Sequence, residues 1–208
     1  MLKVVSPADA APQPALRPGP RMRSRLLDAA AARFKAHGFA DVSVAEIAAD
    51  AGAFPSQVTY YFGTKEALFV EAACREMLYL ASDAEAASAA APDPAYVAVM
   101  VESVIGAPGL NLFVEALAMA HRRLDLQPLV QRTFERLDAE SDRALREHRS
   151  REGQPPGETA IPAHRFWVIA LGMGARGGAT GEPREALVAE MMALINNHGG
   201  RGAPPAPR

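Results

Sequence analysis

Residues 43–64 read SVAEIAADAGAFPSQVTYYFGT, and the punctuation within this stretch sets the architecture around it. Ser43-x-x-Glu46 is a capping box that opens a short helix running through Ile47 and Ala48 to about Ala51. Gly52 stops that helix, and three residues later Pro55 occupies the first-turn position where proline starts another, Pro55 to Phe62, which Gly63 ends. Two short helices joined so tightly must cross steeply. The crossing needs a small residue at the contact and a glycine in the turn, and Ala48 and Gly52 meet those demands. Ile47, Ala51, Val58 and Tyr61 then fall on inward faces. Ser56, Gln57, Thr59 and Tyr60 are left on the outer part of the second helix.

Working outward, Met22, Leu26, Ala30 and Phe34 recur every four residues, widened by Leu27 and Ala31, and predict a helix from Arg21 to Gly38. Thr64 is an N-cap for a long helix carrying Leu68, Ala72, Arg75, Leu78 and Tyr79 towards Ala90. Pro92-Asp93-Pro94 interrupts the pattern. Further helices follow from Ala95 to Ile105, Leu110 to Arg123 and Pro128 to about Arg151. After a loop at residues 153–157, two more run from Pro162 to about Ala175 and from Pro183 to about Asn197. Nine helices and no strand result. The 43 alanines among 208 residues agree with an all-α chain, since alanine is the strongest helix former. The expected organisation is a flexible tail over residues 1–20, a three-helix unit over 21–66, a larger helical bundle over 67–197, and a second tail over 198–208.

Composition narrows the function classes. A single cysteine, Cys74, excludes an internal disulfide and a multi-cysteine zinc site, and with no targeting signal or membrane span the expected compartment is the cytoplasm. The five histidines show no paired-ligand spacing, and no glycine-rich phosphate loop follows a strand. Nothing in the sequence calls for a metal, a cofactor or a catalytic role. The net charge of −2 speaks against nucleic acid, yet it is unevenly placed: Arg17, Arg21, Arg23, Arg25, Arg33 and Lys35 face the single acid Asp28, a local charge of +5 over residues 17–35. That is the footprint of a phosphate-binding end or of a helix kept soluble by its arginines.

A helix presenting Ser, Gln, Thr and Tyr reaches phosphates and base edges in a major groove, glutamine being suited to adenine. The same pattern also suits a solvated helical hairpin, a protein-interaction module, or a small all-α enzyme without a recognisable motif. Beyond pattern, the segment from Arg23 to Leu68 resembles the DNA-binding region of the TetR family of bacterial transcriptional regulators. The resemblance is carried by Ala45-Glu-Ile-Ala48, Ala51-Gly52, Val58-Thr-Tyr-Tyr-Phe62 and Thr64-Lys-Glu-Ala-Leu68. It implies a homodimer that binds a palindromic operator through its N-terminal domains, with a C-terminal domain for a small effector whose binding releases the repressor. It further implies DNA contacts at Ser43, Ser56, Gln57, Tyr60, Tyr61 and Lys65, to which the basic end adds Arg23 and the outward face of the second short helix adds Thr59. Phe54 stands where many members have serine, and Thr59 where many have tyrosine.

In the bundle, the candidates for a largely apolar effector pocket are Met100, Phe113, Glu115, Leu117, His121, Phe166 and Trp167. Glu115 interrupts the apolar run Leu110 to Ala120, as an orienting group or as a solvent-facing charge. The last two helices are the expected dimer interface, through Trp167, Leu171, Leu187, Met191, Leu194 and Ile195, closing as four helices about a twofold axis. Gly172, Gly174, Gly177 and Gly178 permit close helix approach or end the first of those helices early.

Overall fold

The computed structural model describes residues 18–92, 95–151, 153 and 162–199. Among them are nine α-helices and no strand: α1 Pro18–His37, α2 Val44–Asp50, α3 Pro55–Phe62, α4 Lys65–Ala89, α5 Tyr96–Val104, α6 Pro108–Arg122, α7 Gln127–Arg151, α8 Ala163–Thr180 and α9 Arg184–Gly199. A 3-10 turn, Leu124–Leu126, joins α6 to α7. α1 begins three residues inside the stretch read as a tail, and α9 reaches Gly199; the rest of both tails, residues 93–94 and residues 154–157 of the expected loop lie outside the described residues.

The helix starts follow from the caps. Ser43 Oγ accepts the Glu46 N–H at 3.2 Å while the Ser43 N–H and Oγ–H donate to Glu46 Oε2 at 2.8 and 2.7 Å, so the capping box is complete. Thr64 Oγ1 likewise accepts the Ala67 N–H at 3.1 Å and starts α4. Leu26, Leu27, Ala30, Ala31 and Phe34 bury the inner stripe of α1 against α2 and α4.

α4 is the organising element. Its 25 residues span about 37 Å and touch α1, α3, α5, α6 and α7. Phe34, Phe39 and Phe69 form an aromatic cluster with centroids 5.0–6.0 Å apart that ties α1 and the following turn to α4. Three ion pairs, Arg23 to Glu71, Arg75 to Asp28 (2.6 Å) and Lys35 to Glu76 (2.5 Å), stitch α1 along the same helix. Exposed pairs of this kind contribute little individually, but three on one seam fix its register.

α8 does not end at Ala175. It passes through the glycine run to Thr180 because two of those glycines are packing positions: a Cβ at Gly174 would lie 2.9 Å from Leu110 Cδ2 of α6, and one at Gly177 would lie 2.5 Å from Leu187 Cδ1 of α9. Gly172 and Gly178 face open space. Arg176 pairs with Glu190 and with Glu182 (3.0 Å), closing α8 on α9. Arg184 Nε donates to the Ile105 carbonyl at 2.9 Å, holding α9 on the end of α5. No single helix among the described residues is long and apolar enough to cross a membrane; one pair, α5 with α6, passes by length and composition, but it is bent by 63°.

Candidate nucleic-acid interface and interior cavity

The turn between α2 and α3 places Gly52 at φ +60°, a conformation that side chains other than glycine rarely adopt, and Arg25 of α1 lies against its α carbon. Ile47, Ala48, Ala51 and Val58 are buried where the two helices meet. Ser56, Thr59 and Tyr60 are exposed on α3, Tyr60 at 81%, with the Tyr60 ring 5.0 Å from Tyr61 and nearly perpendicular to it. Gln57 is only half-exposed. Its Oε1 accepts the Phe54 N–H at 3.0 Å, so the side chain expected to read adenine is engaged as a helix cap. Phe54 itself is 75% exposed at the N-cap position of α3, with no side-chain acceptor to offer the helix. The sequence signal for it is a phenylalanine where a polar cap belongs.

The remaining candidates divide. Ser43 is exposed at the N-terminus of α2, where the helix dipole favours an anion and the Glu46 carboxylate already accepts the Ser43 N–H and hydroxyl. Lys65 lies at the start of α4 with its ammonium 4.2 Å from the Phe39 ring centroid. Tyr61 is half-buried, its hydroxyl 3.7 Å from where a Cβ on Gly19 would be. Arg23 is corrected. It pairs with Glu71 and lies 5.0 Å from the Phe62 ring centroid, so it works as an internal clamp. Arg33 and Lys35 are also committed, Arg33 to Asp50 (2.5 Å) and Glu46 (3.4 Å), Lys35 to Glu76. Two of these acids are held ionised: hydrogen bonds from Ser43, then the charge of Arg33, depress the Glu46 carboxyl, and the Arg33 hydrogen bond depresses that of Asp50. Of the basic end, Arg21 and Arg25 remain exposed and without an ion pair among the described residues.

An apolar cavity of about 60 Å³ lies between α5, α7 and α8, lined by Tyr96, Val97, Met100, Ser141, Leu145, Ala163, Phe166 and Trp167. Of the expected pocket residues, Met100, Phe166 and Trp167 meet there. Four do not. Phe113 is buried core, 5.6 Å from the Phe134 ring; Glu115 and His121 are solvent-exposed, and Leu117 packs partly buried on the core. The missed wall residues had a faint signal, since Tyr96, Val97 and Met100 share one helical face. Ser141 had none. Its hydroxyl donates to Glu85 Oε1 of α4 at 2.7 Å and accepts from the Trp167 indole N–H at 3.3 Å. Burial, outweighing the Ser141 hydrogen bond, pushes the Glu85 carboxyl above the ordinary range, and burial does the same to the Tyr96 phenol, whose ring stacks on His148 at 4.2 Å.

The residues expected at the dimer interface lie mostly inside the protomer. Trp167, Leu171, Leu187, Met191 and Ile195 are buried within the protomer, filling the space beneath α8 and α9, and Leu194 is half-buried. The outer face of α8 carries a different set, Val168 (64% exposed), Gly172, Ala175 and Ala179, at helical spacing of 4, 3 and 4.

Two family models match the sequence. Residues 26–72 match the model described as bacterial regulatory proteins, tetR family, and residues 94–196 match bacterial transcriptional repressor C-terminal. Among solved structures, one from Rhodococcus sp. RHA1, assigned as a transcriptional regulator, is 36% identical with a TM-score of 0.73 over 84% of this chain and 95% of that one. A second, assigned as a TetR-family transcriptional regulator from Rhodococcus sp., is 18% identical with a TM-score of 0.63, covering 87% and 100%. The multidrug binding protein EbrR, complexed with imidazole, is 25% identical with a TM-score of 0.57, covering 95% and 100%. No curated protein matches the sequence.

Proposed function

The chain belongs to the TetR family of bacterial transcriptional regulators, a DNA-binding regulator and not an enzyme, and on that premise we propose that it is a cytoplasmic homodimeric repressor released from a palindromic operator by a largely apolar small molecule. The observation that carries this reading is the outward face of α3, whose Ser56, Thr59 and Tyr60 are exposed while the residues behind them are buried. Ser43 at the α2 terminus, Lys65 at the α4 terminus, and Arg21 and Arg25 flank that face as phosphate contacts. Residues 21–66 form the DNA-binding unit and 67–197 the effector and dimer unit, with α4 belonging physically to both.

In the dimer, the Val168, Gly172, Ala175 and Ala179 face of α8 packs with α9 against a second copy, and the small residues let the helices approach closely. The effector site is the cavity at Trp167. At about 60 Å³ it is well below the roughly 300 Å³ of an ordinary ligand pocket, so an occupant must displace a wall residue. Moving Trp167 disturbs its bond to Ser141 and thereby the Ser141 bond to Glu85 on α4, the helix that carries the DNA-binding unit. Binding energy for the open cavity is thus converted into a change in recognition-helix spacing, which must be about 34 Å for successive major grooves. The aromatic walls of the cavity, Tyr96, Phe166 and Trp167, make planar apolar compounds the class to test first, and EbrR is a multidrug binding protein.

The experiment is in vitro selection of duplexes by the purified chain, followed by release of the selected duplex with a panel of planar apolar compounds. A palindromic site freed by a compound that also raises the melting temperature is the expected result. Selection that enriches no sequence overturns the reading.

A further inference from the structure

Resting on the operator-binding reading above, we infer that Phe54 is a specificity-determining residue that reads the 5-methyl group of a thymine in each operator half-site. Three observations converge. First, α3, Pro-Ser-Gln-Val-Thr-Tyr-Tyr-Phe, holds no arginine or lysine, so the commonest base-specific contact, a bidentate cation on guanine, is not available from this helix. Second, the bidentate glutamine–adenine pair needs both ends of the amide, and Gln57 Oε1 is already held by the Phe54 N–H at 3.0 Å. Third, the position that normally supplies a polar cap carries a benzyl group that is 75% exposed. The ring makes no cap, and among the described residues no aromatic ring packs against it.

In a helix-turn-helix the N-terminal residues of the second helix are those that meet base edges. Phe54 leads α3, followed by the exposed Pro55 and Ser56, and Tyr60 lies about one turn beyond Ser56 on the same exposed edge. The apolar feature a natural base pair displays in the major groove is the thymine methyl, so a base-contacting phenylalanine selects T·A. The Gln57 cap holds the turn from which Phe54 projects, and the helix keeps its N-terminus through Pro55 instead of a hydroxyl.

The test uses the duplex selected by the full chain, with each thymine replaced singly by deoxyuracil, which removes only the methyl group. One position per half-site should weaken binding about fourfold, and both together about fifteenfold, the effect of one buried methyl group applied once and twice. At that position 5-methylcytosine paired with guanine should bind more tightly than unmethylated cytosine paired with guanine. Phe54→Ala, which leaves the packed core untouched, should bind thymine and deoxyuracil duplexes within twofold of each other, and Phe54→Leu should keep part of the discrimination. Wild-type binding that is sequence-specific yet indifferent to every deoxyuracil, or a penalty that Phe54→Ala retains, overturns this inference and leaves operator binding standing. Failure to select any duplex overturns both.

Discussion

Gly52 and Glu85 each carry a consequence larger than their size. A methyl group on Gly52 would lie 2.7 Å from an Arg25 guanidinium nitrogen and would hold an L residue at φ +60°, so Gly52→Ala should destabilise the chain by about 1–3 kcal/mol. Urea unfolding checks this; an unchanged midpoint would mean the turn relaxes freely. Glu85 has its carboxyl raised by burial in the folded chain, so its favourable contribution is complete below the ordinary value near 4.5 and is lost as pH rises through the raised value. Glu85→Gln, which still accepts from Ser141, should therefore melt about 1–3 °C above wild type at pH 7.5 and level with it near pH 4. Equal melting at both pH values would remove the burial argument. At this scale the sequence showed which side chains are basic but not what they face. Arg23, Arg33 and Lys35 read as DNA contacts or solubilising charges because Glu71, Asp50, Glu46 and Glu76 lie 13 to 48 positions away in the chain, and only folding brings them together.

The helices themselves were legible almost to the residue. Caps at Ser43 and Thr64, Pro55 at a helix start and Gly38, Gly52 and Gly63 at positive φ are local instructions, each satisfied by hydrogen bonds within a few residues. α8 shows where local instruction stops. Its glycines mark either an end or a close contact, and the choice belongs to Leu110 and Leu187 on neighbouring helices. Gly177→Leu should force α9 off α8 and cost about 1–3 kcal/mol as an overpacked site, whereas Gly178→Ala, which faces open space, should be neutral or stabilising through better helix propensity. Melting of the two variants side by side checks the assignment, and equal loss in both would refute it.

For the whole molecule, on the reading proposed above, assembly belongs to the outer face of α8 and operator affinity to the few cations of the basic end that lack an ion pair among the described residues. Val168→Glu leaves the core intact but places a charge on the exposed stripe; sedimentation should show a monomer, with operator affinity reduced more than tenfold because two half-sites are no longer linked. An unchanged dimer would locate the interface elsewhere. With Lys65, Arg21 and Arg25 of each copy as phosphate ligands, the logarithm of affinity should fall with the logarithm of salt at a slope of about −5; a slope near −10 would return Arg23, Arg33 and Lys35 to the DNA. The sequence alone determined the all-α class, the helix-turn-helix, its family resemblance and the outward set on α3, because caps, turn glycines and helical periodicity act between residues a few positions apart. Only the tertiary structure decided that Trp167 and Leu171 are interior, that the cavity draws on α5, α7 and α8 instead of α6, and that Gln57 caps while Phe54 projects. An apolar stripe states that a helix is covered without stating by what, and a polar side chain states what it can bond without stating which partner arrives.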